Sequence, residues 1–142
     1  VFKILLPVDG SERSLRAVRH VIGCRDWFRD DLEIHLLNVQ LPVASGAVKM
    51  FISQSQLNDY YRDEALEVLK SARAELEAAG LAYRHHIGVG ELGGTIADFC
   101  RQLECELVIM GTHGHGALTG ALLGSVAAKV VHLSPVPVML IK

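Results

Sequence analysis

Residues 107–131 read LVIMGTHGHGALTGALLGSVAAKVV, and this run decides the architecture. Leu107, Val108, Ile109 and Met110 form an unbroken apolar segment of strand length, the pattern of a strand buried on both faces. Val126, Ala127, Val130 and Val131 recur at helical spacing. Between them Gly111 and Gly114 are separated by two residues, and nine more precede Gly124-Ser125. A glycine-lined connection from buried strand to helix exposes backbone N–H groups and a positive helix end, which suits an anion such as phosphate.

Working outward, the same alternation repeats. Phe2 to Val8 is apolar apart from Lys3 and closes on the turn cluster Pro7-Val8-Asp9-Gly10, so a buried first strand is expected. Ser11 is placed to cap a helix carrying Leu15, Val18, Val21 and Ile22. Leu32 to Val39 reads as the second strand. Gln40 to Ser55 lacks periodicity and is expected to be a loop. It leads into a long helix with Leu57, Tyr61, Ala65, Val68, Leu69, Ala72 and Leu76 on one face, stopped by Gly80.

Ala82 to Val89 alternates, with Tyr83, Ile87 and Val89 on one side and Arg84 and His86 on the other, as an edge or half-exposed strand does. Thr95 to Leu103 reads as a helix, and Val136 to Ile141 as the last strand. Residues 1–142 are therefore expected to form one α/β domain: a single open parallel five-stranded sheet, order 3-2-1-4-5, helices on both faces, Rossmann-like. In that order the winding reverses between the first and fourth strands. A ligand crevice is expected at their C-terminal ends, where Asp9-Gly10 and the glycine loop meet.

Composition narrows the partners. Half of the 142 residues are hydrophobic and 21% are charged, ordinary for a compact domain, and the formal net charge of −2 offers no basic excess for nucleic acid. Cys24, Cys100 and Cys105 are odd in number and lack a C-x-x-C pair, so buried free thiols in a reducing compartment are expected. No export signal or membrane-length apolar run is visible, and the cytoplasm is the expected location. The missing initiator Met implies a processed or disordered first residue.

Pro7-Val8-Asp9 at the end of the first strand, the G-2x-G-9x-G-S pattern of Gly111, Gly114, Gly124 and Ser125, and Pro135-Val136-Pro137-Val138 near the C-terminus together resemble the universal stress protein family. The likeness runs from Phe2 to Ile141 and implies its ATP-binding subtype, a stress-response regulator. By that resemblance Asp9 and the backbone near Val39 hold the adenine, and Pro7 and Val8 form its apolar wall. Gly111, Thr112, His113 and Gly114 surround the ribose and phosphates, Gly124, Ser125 and Val126 complete the phosphate site, and Met110 is a further nucleotide-binding residue, with Mg²⁺ held only through the phosphates. Unlike many relatives, the chain has no Lys or Arg between Gly114 and Gly124; His115 is the ionisable group there. Valine at Gly111 or Gly124 is expected to block the phosphates while leaving the fold largely intact.

Other readings stay open. Asp9 could cap the first helix, and Ser125 could simply cap the last one. The pair His113 and His115 lacks a neighbouring Cys or acidic ligand, so no protein metal site is expected, and His85-His86 reads as half solvated. There is no G-x-x-x-x-G-K-[ST] and no G-x-S-x-G, so a dedicated catalytic activity is not expected. Slow ATP hydrolysis, adenylyl transfer or an empty structural dimer are the alternatives. The apolar last strand, Val136 to Ile141, lies at a sheet edge and is expected to pair with a second copy as a homodimer, an interface the resemblance also implies.

Overall fold

The computed structural model describes residues 1–43, 46–113 and 123–142, apart from the Val48 side chain. Five strands, β1 (Phe2–Pro7), β2 (Leu32–Gln40), β3 (Tyr83–Val89), β4 (Leu107–Gly111) and β5 (Val138–Ile141), form one sheet in the order β3-β2-β1-β4-β5. Every pairing is parallel. The apolar runs take the interior positions because only there are both faces covered.

Helices α1 (Glu12–Cys24) and α3 (Gln54–Ala78) cover one face, packing Val18, Val21, Leu69 and Leu76 against Ile4, Leu6, Ile34 and Leu36. Helices α4 (Leu92–Gln102) and α5 (Ser125–Leu133) cover the other, packing Ile96, Cys100, Ala127 and Val130 against Leu5, Leu37, Val108 and Met110. The two layers follow from the period-two alternation along each strand. Each fully buried Leu or Ile contributes roughly 1.5–3 kcal/mol against the entropy of ordering.

Local signals fix the ends of these elements. Ser11 caps α1, its Oγ accepting from the Ser14 backbone N–H at 3.2 Å. Ser53 and Gln56 cap α3 reciprocally, the Ser53 hydroxyl accepting from Gln56 and the Gln56 side chain from Ser53. Gly80, at φ +69°, ends α3 as expected.

Three sequence expectations need correction. The loop expected over Gln40 to Ser55 contains a short helix, α2 (Gly46–Phe51). Helix α4 begins at Leu92 rather than Thr95, because the Glu91 carboxylate accepts from the Gly93 and Gly94 N–H groups at 3.1 and 2.7 Å. Those two bonds, Gly94 foremost, hold the Glu91 carboxyl below its ordinary range. Gly93 is tolerated in the helix because a Cβ there would come within 2.8 Å of the Lys129 side chain on α5. Last, β5 starts at Val138, although the Pro137 carbonyl still accepts from Val108 N–H at 3.0 Å.

β3 is an edge strand, as its alternation predicts. Arg84 and His86 share a face, and His86 is half-buried under α4, its ring centroid 6.0 Å from that of Phe99. His86 Nε2 lies 2.8 Å from Nδ1 of His35, a β2 residue only 2% exposed, whose Nε2 donates to Glu33 Oε1 at 2.7 Å. Burial pushes the His86 pKa down, and the hydrogen bond from His35 holds Glu33 down. His85 is exposed. Val89, at the end of its strand, is 43% exposed. The three cysteines are buried and free, as expected.

Candidate functional site

The C-terminal ends of β1 and β4 bring the two loop-competent segments together. β1 delivers Pro7 and then Val8, which is 6% exposed and donates to the Leu37 carbonyl at 2.8 Å. The chain then turns through Asp9 and Gly10, the latter at φ +84°, a conformation that favours glycine. Asp9 Oδ1 accepts from the Ser11 N–H at 2.9 Å, and the Asp9 N–H donates to Ser14 Oγ at 3.3 Å. The Asp9 side chain thus shapes the turn, while the cap of α1 is Ser11. The reading of Asp9 as the α1 cap is corrected.

Across the reversal, β4 ends with Met110 and Gly111, of which Met110 is 6% exposed. Thr112 is also buried, its N–H donating to the Ile141 carbonyl of β5 at 3.1 Å. His113 Nδ1 lies 3.1 Å from Thr112 Oγ1. Gly124 N–H closes back on the Thr112 carbonyl at 2.7 Å, so both ends of the glycine loop are pinned beside β4. Gly114 and His115 lie outside the described residues.

Gly124 is the N-cap of α5, and among the described residues no side chain caps that end. Ser125, exposed, is therefore the first residue of the helix rather than its cap, which corrects the expectation that it could simply cap the last helix. Val126 follows, half-buried, on the first turn. An uncapped first turn presents N–H donors and the positive end of the helix dipole, where an anion is stabilised. Val39, half-buried, lies near the C-terminal end of β2, beside β1 in the same sheet.

The glycines have a second, unanticipated role. A Cβ on Gly111 would sit 3.1 Å from the carbonyl oxygen of Arg13 and 3.2 Å from its carbonyl carbon. The close approach made here is chain to chain, β4 against the first turn of α1. A Cβ on Gly124 would likewise meet Thr112 O and His113 Cα at 3.3 Å. The expectation that valine at either position spares the fold is therefore corrected: both glycines hold backbones together.

Sequence reasoning also missed Asn38. It is 4% exposed, and its Nδ2 donates to the Val8 carbonyl at 2.8 Å, fixing the end of β1 where it turns toward Asp9. The available signal was a carboxamide set between the apolar Leu37 and Val39 of β2. It also missed an apolar surface beyond the end of β2: a cavity of about 460 Å³ lined by Val43, Phe51, Ile52, Gln56, Leu57 and Tyr60. Among the described residues no group of three His, Cys, Asp or Glu side chains is placed to hold a metal, and no helix is long and apolar enough to cross a membrane.

Comparison with known proteins agrees with this arrangement. The model of the universal stress protein family matches residues 1–142. Universal stress protein MJ0531 of Methanocaldococcus jannaschii is 29% identical over 140 residues, covering 99% of this chain and 81% of that protein. The solved structure of MJ0577, from the same organism, superposes with a TM-score of 0.84 at 30% identity, covering 99% of this chain and 95% of that one. A family protein from Arabidopsis thaliana, solved with AMP bound, superposes with a TM-score of 0.69 at 21% identity, covering 100% of this chain and 92% of that one.

Proposed function

Since this chain belongs to the universal stress protein family, we propose that it is an ATP-binding regulatory protein of the stress response, acting as one domain over residues 1–142 in the cytoplasm. One observation carries the reading: an uncapped helix N-terminus, at Gly124-Ser125, stands where the sheet winding reverses, across from the Asp9 turn. The AMP-bound relative of the same fold supports an adenine nucleotide as the ligand class.

In this reading Ser125, Val126 and Gly124 hold the phosphates on the α5 dipole, with Gly111, Thr112, His113 and Gly114 around the ribose. Asp9, the Val39 backbone, Pro7, Val8 and Met110 hold the adenine. Mg²⁺ enters with the phosphates. The residues fit the group because the donors at α5 are backbone N–H groups, which need no cation in the loop to favour an anion.

Ser125→Glu tests this directly. A carboxylate in the first turn complements the dipole, so the melting midpoint without ATP should hold or rise slightly. The same charge repels the phosphates, and ATP affinity should fall at least about tenfold, a loss of roughly 1.4 kcal/mol. A variant that binds ATP as tightly as the parent removes the phosphates from α5.

The protein acts, in the same proposal, as a homodimer joined through Val136 to Ile141. β5 is the sheet edge, and Val138, Met139, Leu140 and Ile141 remain only half-buried within one chain. A second copy running antiparallel covers both the open edge and these side chains under a two-fold axis. Sedimentation at micromolar concentration should give twice the chain mass, and Val138→Asp with Leu140→Asp should halve it. A parent that sediments as a monomer throughout rules the interface out.

A further inference from the structure

We propose that Cys100 and Cys105 form a dithiol oxidation site, closed into an intrachain disulfide by a small hydroperoxide such as hydrogen peroxide. The two residues bracket the C-terminal turn of α4. Cys105 N–H donates to the Cys100 carbonyl at 3.0 Å, and Glu104 between them takes the left-handed conformation at φ +56°. That is the helix-ending turn in which the side chains at its two ends pack together. Here both ends are cysteines, buried in the same apolar cluster. A disulfide requires side chains brought together in this way.

The two thiols are not equivalent. The hydrogen bond from Cys105, the nearby Arg101 charge and a hydrogen bond from Ser134 draw the Cys100 thiol below its ordinary value. Cys105, the donor to Cys100 and buried beside it, is pushed up. Cys100 is therefore the attacking sulfur and Cys105 the resolving one. The Cys100 thiolate attacks one peroxide oxygen: an S–O bond forms, the O–O bond breaks, and hydroxide leaves and takes up a proton as water. Cys105 then gives up its proton and attacks the sulfenic sulfur; the S–S bond forms, the S–O bond breaks, and a second water departs. Two thiols and one hydrogen peroxide become one disulfide and two waters.

Both sulfurs are buried, but the turn that covers them is the end of a helix flanked by exposed Glu104 and Glu106. Its last bonds, Leu103 N–H to Phe99 O and Glu104 N–H to Arg101 O, are of the kind that open first in local fluctuations. An oxidant little larger than water enters through such an opening. Cys24 lies on α1, across the sheet, and takes no part.

Trypsin cuts after Arg101, between the two cysteines, so the crosslink joins two peptides, 85–101 and 102–129. The folded protein treated with hydrogen peroxide should lose about 2 Da, yield that joined pair without reductant, and keep Cys24 free to alkylate after denaturation. Dithiothreitol should restore the two separate peptides. Cys24→Ser should oxidise as the parent does, and Cys105→Ser should give no joined pair. Oxygen addition at Cys100 or Cys105 without crosslinking overturns the proposal, as does a crosslink involving Cys24 or the survival of both thiols in the parent.

Discussion

ATP at about a hundred times its dissociation constant should stabilise the folded protein by roughly 2.7 kcal/mol, since only the folded chain assembles the site. For a chain of 142 residues that is a rise in melting midpoint on the order of 5–10 °C. The effect arises because the donors come from separate parts of the chain: the turn after β1 and the first turn of α5. Unfolding disperses them, and the ligand resists it by mass action. The rise should grow with the logarithm of ATP concentration and, at the same ATP concentration, fall to about half or less with Ser125→Glu. A melting curve unmoved by millimolar ATP would count against the assigned crevice.

Gly111→Val should lower the melting midpoint of the ligand-free protein by roughly 3–10 °C, from an overpacking cost of about 1–3 kcal/mol. The new Cβ meets the Arg13 carbonyl group, and main chain cannot swing aside as a flexible side chain does. Relief requires α1 to move off β4, which disturbs Ala17, Val18 and Val21, all fully buried, and the Asp9 turn that Ser11 and Ser14 hold. Loss of ATP binding in this variant is then a consequence of displaced structure. If Gly111→Val melted like the parent, the packing role assigned to this glycine would be wrong.

The strand order was readable because Phe2–Pro7, apart from Lys3 near its start, and Leu107–Gly111 are unbroken apolar runs and so belong inside a parallel sheet. Ser11 and Gly80 marked helix ends by chemistry that acts within a few residues. What escaped the sequence depends on partners far away along the chain. The helix read from Thr95 begins at Leu92 instead, because Glu91 caps that turn and Lys129 packs against the bare Cα of Gly93. His86 read as half solvated, but nothing local announces that its buried side meets Phe99 of α4 and His35 of β2.

The candidate site divides in the same way. Glycines and a serine at characteristic spacing were visible, and so was their meeting with Asp9 at the reversal of the sheet. That Gly111 abuts Arg13, and that Asn38 anchors the Val8 carbonyl, follows only from the folded register of β1, β2 and β4. Spacing can mark where backbones come close, but it does not say whether the neighbour is a ligand or another part of the chain.

Calorimetric titration of ATP into the folded parent protein tests the central claim most directly. The account predicts a saturable heat with one ATP per chain, and AMP competing for the same site, since both share the adenine and the phosphate that Asp9 and α5 are proposed to hold. A protein that remains folded and shows no binding heat at millimolar ATP across a range of temperatures would contradict it.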